Sequence, residues 1–174
     1  MVSGALEARI HTALDGVYDP EIPVVSIREL GILRDVRISG DTLEVVITPT
    51  YSGCPAMEQI GDDIRNALAR EHVQVRVVTQ LAPAWTTDWI TPAARDKLRG
   101  YGIAPPSHAA GQPEELHACG KVLQFRRPTA TPPVPCPLCG SDDTTETSHF
   151  GSTACKALYR CLACMEPFDH FKPY

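Results

Sequence analysis

A chain of 174 residues, 43% hydrophobic but only 6% aromatic, has material for a packed core, and none of its apolar runs approaches the ~20 residues that span a bilayer. Sixteen basic residues against twenty-one acidic ones give a net charge of -5, with 10 Lys/Arg and 14 Asp/Glu before Tyr101 and 6 and 7 after it. That balance argues against sequence-independent nucleic-acid binding, which needs clustered Lys and Arg to displace counterions.

Residues 1–9 lack the basic, apolar, small-residue order of a secretory leader, so the cytoplasm is the expected compartment. Seven cysteines in such a chain point to metal ligation or thiol chemistry rather than to a disulfide framework, and five of them follow Thr131.

In chain order, Leu6, Ile10, Ala13, Leu14 and Val17 form one stripe of an amphipathic helix over 5–17. Asp19-Pro20-Glu21-Ile22-Pro23 cannot extend it, because each proline lacks an N–H and pushes its predecessor out of the helical region, so an ordered turn is expected. Alternation in Ile32–Ser39 and Thr42–Thr48 around Gly40-Asp41 predicts a hairpin. Pro55 opens a second helix that carries Met57, Ile60, Ile64 and Leu68 on one face and ends near His72; Val73, Val75 and Val77 then read as a third strand. Thr91-Pro92 opens a shorter helix that Gly100 or Gly102 can close. The order α-β-β-α-β-α describes a small α+β domain over 1–103. Seven prolines in the 32 residues 104–135 mark a linker, and a ribbon occupies 136–174.

The ribbon rests on Cys136-Pro137-Leu138-Cys139 and Cys161-Leu162-Ala163-Cys164, two knuckles 21 residues apart. In each turn both sulfurs can face one point, and two such turns supply the four thiolates of a structural zinc site. Strands over 144–150, 157–160 and 168–171 would connect them, and metal binding would contribute much of the folding free energy of so small a module. Four thiolates also hold iron or a cluster, so iron stays open. Cys155 reads as a spare thiol beside the ribbon site, either a small buried residue or an exchangeable ligand. Cys119 falls in the linker. His149 and His170 are candidate donors around the ribbon.

Cys54 stands between the end of a strand and the start of a helix, where free N–H groups and the helix dipole lower a thiol's pKa. The alternative is a packed cysteine with no function, since no histidine base can be placed beside it. Asp19 and Glu21 put two carboxylates in the proline-bracketed turn, to stabilise it, bind a metal or touch a partner. Trp85 and Trp89 suggest a hydrophobic lid over the sheet, part of which could serve as a docking surface.

Asp19–Pro23, Ser26–Ile32, Thr48–Met57 and Pro83–Trp89 resemble the signature segments of the SufT-like iron-sulfur assembly family over roughly residues 5–102. With the four-cysteine ribbon and its Phe150-Gly151-Ser152-Thr153-Ala154-Cys155-Lys156 segment, the whole chain resembles the PaaD (PaaJ) family of bacterial phenylacetate degradation. That resemblance implies an accessory component of the phenylacetyl-CoA 1,2-epoxidase system, a ring-epoxidising multicomponent monooxygenase. It implies no catalytic residue, but a maturation role in iron-sulfur cluster assembly, with the reductase component and the other subunits as partners. Cys54 becomes the candidate for transient contact with iron or a cluster, with Cys155, Asp19 and Glu21 auxiliary and zinc structural. A lone thiol in the first domain would need a second copy of the chain or a client to complete its ligand set. A non-catalytic adaptor that stabilises the oxygenase-reductase assembly is the competing expectation.

Overall fold

The structure, a computed structural model, describes residues 4–39, 42–106 and 133–174; Gly40-Asp41, Cys119 and most of the expected linker lie outside them. Helix α1, Gly4–Asp15, buries Ile10 and Leu14. The following segment is more than a turn: β1, Tyr18–Asp19, and β2, Ile22–Ser26, pair antiparallel. The cause is local. Asp19 Oδ1 accepts the backbone N–H groups of Glu21 (2.8 Å) and Ile22 (3.0 Å), folding the chain back so that Ile22 and Val25 reach the core.

β3, Leu33–Ser39, and β4, Thr42–Ile47, form the expected antiparallel pair. Helix α2, Ala56–Leu68, buries Ile60, Ile64 and Leu68 along one face and provides the crossover that a parallel neighbour requires. β5, Gln74–Thr79, accordingly runs parallel to β4, giving the order β3-β4-β5. Helix α3, Pro92–Gly100, starts where Thr91 Oγ1 accepts the Ala94 N–H at 3.1 Å, and Gly102 follows it at φ +87.

The C-terminal sheet contains β7, Thr144–Ser148, β8, Lys156–Cys161, and β9, Pro167–Phe171, but it also recruits β6, Ile103–Ala104, parallel to β9. Ala104, read in the sequence as the first linker residue, is thus an edge-strand residue of the ribbon sheet. Trp85 makes the second connection. Its Nε1 donates to Leu30 O at 2.9 Å, while its ring lies 5.9 Å from that of Phe171 and 6.3 Å from that of Tyr174. The expectation of a tryptophan lid over the sheet is corrected for Trp85, which clamps the last strand to the first domain. Trp89 lies partly buried against Gly31, where a Cβ would come within 2.5 Å of Trp89 Cβ and φ is +72, so glycine is required there.

Cys155 and Phe171 therefore belong to the same buried cluster as Ile10, Leu30 and Ile60, whereas Ala104, Val134, Cys136, Cys161 and Phe168 form a second, smaller one around the knuckles. Among the described residues no helix is long and apolar enough to cross a membrane.

Candidate functional site

The two Cys-x-x-Cys turns meet at one point. Gly140 N–H donates to Cys136 O at 2.9 Å, with Gly140 at φ +76 closing the first knuckle, and Cys161 N–H donates to Glu166 O at 3.0 Å across the second. All four Sγ atoms lie within 4.8 Å of one another, with Cys136 and Cys164 at 3.9 Å and Cys139 and Cys161 at 3.6 Å. A tetrahedral thiolate site with bonds of ~2.3 Å places its sulfurs ~3.8 Å apart, so these residues fit a metal ion of that kind.

Electrostatics agree with that fit. The Cys164 N–H pointing at its sulfur, foremost, draws the Cys161 thiol down to about 7. At Cys164 a backbone hydrogen bond from Glu166 favours the thiolate, yet burial and the neighbouring thiols Cys161, Cys139 and Cys136 push it up to about 12. One thiolate forms readily and further ones are resisted until a cation joins them.

A second group gathers where β8 meets the first domain. Cys54, half-buried, precedes α2; Asp19 and Glu21 come from the β1–β2 hairpin; and Thr153, Cys155 and Lys156 come from the segment entering β8. Thr153 Oγ1 lies 3.0 Å from Cys155 Sγ, and Thr153 also favours the Glu21 carboxylate. Lys156, only 4% exposed, places Nζ 3.5 Å from Asp169 Oδ2 and its charge acts on Asp19, Glu21 and Cys155. Tyr174, the last residue, donates its hydroxyl to Ala154 O at 3.3 Å, holding this segment in place.

Here the structure corrects the expected effect of the helix terminus on Cys54. The Ala56 N–H does favour the thiolate, but burial foremost, with the charges of Glu21 and Asp19, outweighs it and raises the thiol above its ordinary value. Burial does the same to Cys155, Asp19 and Glu21. Tyr51 is pushed up to about 12 by burial and by facing Cys54, Glu21 and Cys155. Among the described residues only the knuckle draws three or more ligand atoms within 4.8 Å of one another, so this second group is the more dispersed of the two.

Of the two readings of Cys155, the small buried residue is what the structure shows: it packs 4% exposed in the first domain's cluster, outside the four knuckle sulfurs, where the charges of Glu21 and Asp19 act on it. Sequence reasoning missed Lys156, Thr153, Tyr51 and Tyr174 as members of this group; the Phe150–Lys156 segment was visible, but not the direction in which it points. His149 is exposed and paired with Glu146 at 3.2 Å, and His170 is buried with Nε2 unpartnered, so neither donates to a knuckle sulfur.

Comparison with known proteins agrees with this two-part construction. Residues 123–172 match the family described as PaaD zinc beta ribbon domain, and residues 7–80 the family described as iron-sulfur cluster assembly protein. The chain is 51% identical over 164 residues to an Escherichia coli K12 protein provisionally named as a subunit of 1,2-phenylacetyl-CoA epoxidase, covering 94% of this chain and 90% of that one. Its first part is 36% identical over 98 residues to the Fe-S protein maturation auxiliary factor YitW of Bacillus subtilis, 56% of this chain and 89% of that protein. A domain of unknown function, DUF59, from Bacillus anthracis superposes with a TM-score of 0.50 at 28% identity, covering 55% of this chain and 92% of that domain. With an assembly-type domain clamped to a four-cysteine ribbon and likeness along almost its whole length, the chain belongs to the PaaD family of phenylacetyl-CoA epoxidase components.

Proposed function

We propose that this chain is an accessory maturation protein of a phenylacetyl-CoA epoxidase system, and that it assists iron-sulfur cluster assembly in the reductase component. The observation that carries this reading is the half-buried Cys54 thiol at the head of α2, facing the carboxylates of Glu21 and Asp19 in an assembly-type domain. A thiol beside carboxylates suits an iron cargo held briefly and passed on. Cys136, Cys139, Cys161 and Cys164 hold one resident zinc, whose work is to fold the ribbon and present it to partners. The protein supplies ligands and position, and no catalytic residue of its own is assigned.

The test is the iron and acid-labile sulfide content of the reductase component from cells lacking this chain, complemented with wild type or Cys54→Ser. Maturation requires a depleted reductase with Cys54→Ser while complexes with the other subunits still form; a fully loaded reductase contradicts it.

One observation favours the adaptor reading. Leu138, Leu162 and Met165 on the knuckle turns are 57%, 46% and 53% exposed, an apolar tip suited to docking on another component of the system. Replacing these three with Ser would then dissociate the complex without changing reductase iron.

A further inference from the structure

We propose that a second copy of this chain docks along the free edge of β5 and the adjoining flank of α2, giving a two-fold dimer with one continuous sheet. Such a dimer is independent of the maturation reading.

In the order β3-β4-β5, no other described strand lies beside the outer edge of β5. Gln80 N–H donates to Ile47 O at 2.8 Å, which fixes the alternation along the strand. Gln74, Arg76 and Val78 direct their backbone groups toward β4, while Val75, Val77 and Thr79 direct theirs outward. Among the described residues no turn or loop hydrogen bond takes these outward groups. The edge also carries neither a proline nor a bulge, devices that keep an exposed strand from pairing. Antiparallel pairing about Val77 satisfies every outward group, with Val77 against its own copy and Val75 against the second copy's Thr79. It also sets Arg76 opposite the second copy's Val78, so that no arginine faces an arginine.

The helix agrees with that axis. Glu58, Gly61, Asp62 and Arg65 recur at helical spacing on the flank of α2 beside β5, and with Val77 and Thr79 they line a cleft of ≈ 330 Å³. Arg65 also lines a cleft with Gln74 and Val75 at the start of the strand, whereas Glu58 shares its cleft with Thr79 at the end. A two-fold axis reverses the second copy, so its Glu58 meets Arg65 and its Arg65 meets Glu58. The stripe is its own electrostatic complement. Asp62, nearer the axis, keeps Arg65 at 2.7 Å as a neutralising partner. Gly61 occupies the middle. Glycine is a poor helix residue, and a Cβ there would meet the Arg65 guanidinium at 3.5 Å, an ordinary contact, so packing within the chain does not exclude a side chain. Close approach of a second helix does.

The axis also decides what the dimer offers Cys54. That residue precedes α2, about 10 Å along the helix from Gly61, so the two thiols end roughly 20 Å apart. On the maturation reading, the remaining ligands then come from the client.

The experiment is sedimentation velocity over a concentration series on the full, zinc-loaded chain. Wild type, Glu58→Lys, Arg65→Glu, Val77→Pro and an equimolar mixture of the two charge variants are compared. Wild type is expected at twice the chain mass. Each charge variant alone should associate at least ~10-fold more weakly. Their mixture should recover wild-type affinity within ~3-fold, because each chain then offers the charge the other lacks. Val77→Pro deletes an outward N–H and no bond to β4, so it should sediment as a monomer.

One zinc per chain and a cooperative melt show that a variant is folded, and the two charge variants, at exposed positions, decide the question by themselves. A wild type that stays monomeric throughout the series would overturn the proposal. So would a dimer indifferent to both charge reversals, or a mixture that fails to recover association. Reductase iron content tests the maturation reading separately and is unaffected by these outcomes.

Discussion

The molecule contains two groups of thiols built on opposite principles. At the knuckles, four sulfurs are drawn within 4.8 Å of one another by two turns of the same short sheet, and backbone N–H groups already favour ionisation of Cys161. At the domain junction, Cys54 and Cys155 come from elements far apart in sequence, are accompanied by carboxylates, and are kept protonated by burial. Converged and charge-ready geometry suits a resident ion, whereas a dispersed and charge-frustrated group suits one that visits.

The largest effect should come from breaking the closed group. Cys161→Ser, or a strong chelator, should remove the metal and unfold the ribbon, because structural zinc contributes on the order of 10 kcal/mol to such modules. Hydrogen exchange would show β7–β9 losing protection, and Trp85 fluorescence should shift as Phe171 and Tyr174 leave it.

Next, Trp85→Ala removes the clamp between the two regions and should cost about 3–5 kcal/mol in denaturant unfolding, as deletion of a buried aromatic does. Metal content should stay unchanged, which separates domain coupling from ribbon integrity.

The acid limb comes third. Burial lowers His170 to about 4 from 6.5, so its stabilising effect is complete above 6.5 and lost as pH falls toward 4. His170→Phe keeps the contact with Tyr159 and should be more stable than wild type on acidification, by up to ~3 kcal/mol. A parallel decline in both proteins would contradict this. Smaller again, Thr91→Ala should cost about 1 kcal/mol through loss of the α3 cap.

The subtlest test concerns the dispersed group. Asp19 titrates above its ordinary 3.8 when folded, so wild-type stability falls as pH rises from 3.8 through the folded value. Asn at position 19 retains an oxygen for the Glu21 and Ile22 N–H groups but carries no charge. Melting of Asp19→Asn against pH should lack that fall, and an unchanged slope would show that Asp19 is not charge-frustrated.

How much of this was legible in the sequence follows from the range of the interactions. Helix α2 and the β3–β4 pair are written in local periodicity, and the knuckles in a four-residue spacing, so each is visible without tertiary knowledge. The Thr91 cap is equally local. By contrast, Trp85 acts through contacts to Leu30, Phe171 and Tyr174, and β6 exists only because β9 lies beside it. No short window encodes such pairings. Cys155 left two readings open for the same reason: proximity in sequence to the knuckles suggested their metal, while its packing in the first domain's cluster depends on tertiary contacts. Cys54 was located correctly in the chain, but its protonation depends on burial and on the carboxylates of the β1–β2 hairpin, which the helix-terminus argument did not contain.

Metal and acid-labile sulfide content, with visible absorption, of protein purified without oxygen as wild type and as Cys54→Ser tests the division of labour most directly. One zinc per chain in both, with iron in wild type and none in Cys54→Ser, is the result expected from a resident ion at the knuckles and a visiting one at Cys54. Iron retained in Cys54→Ser, or iron in place of zinc at the knuckles, would contradict it.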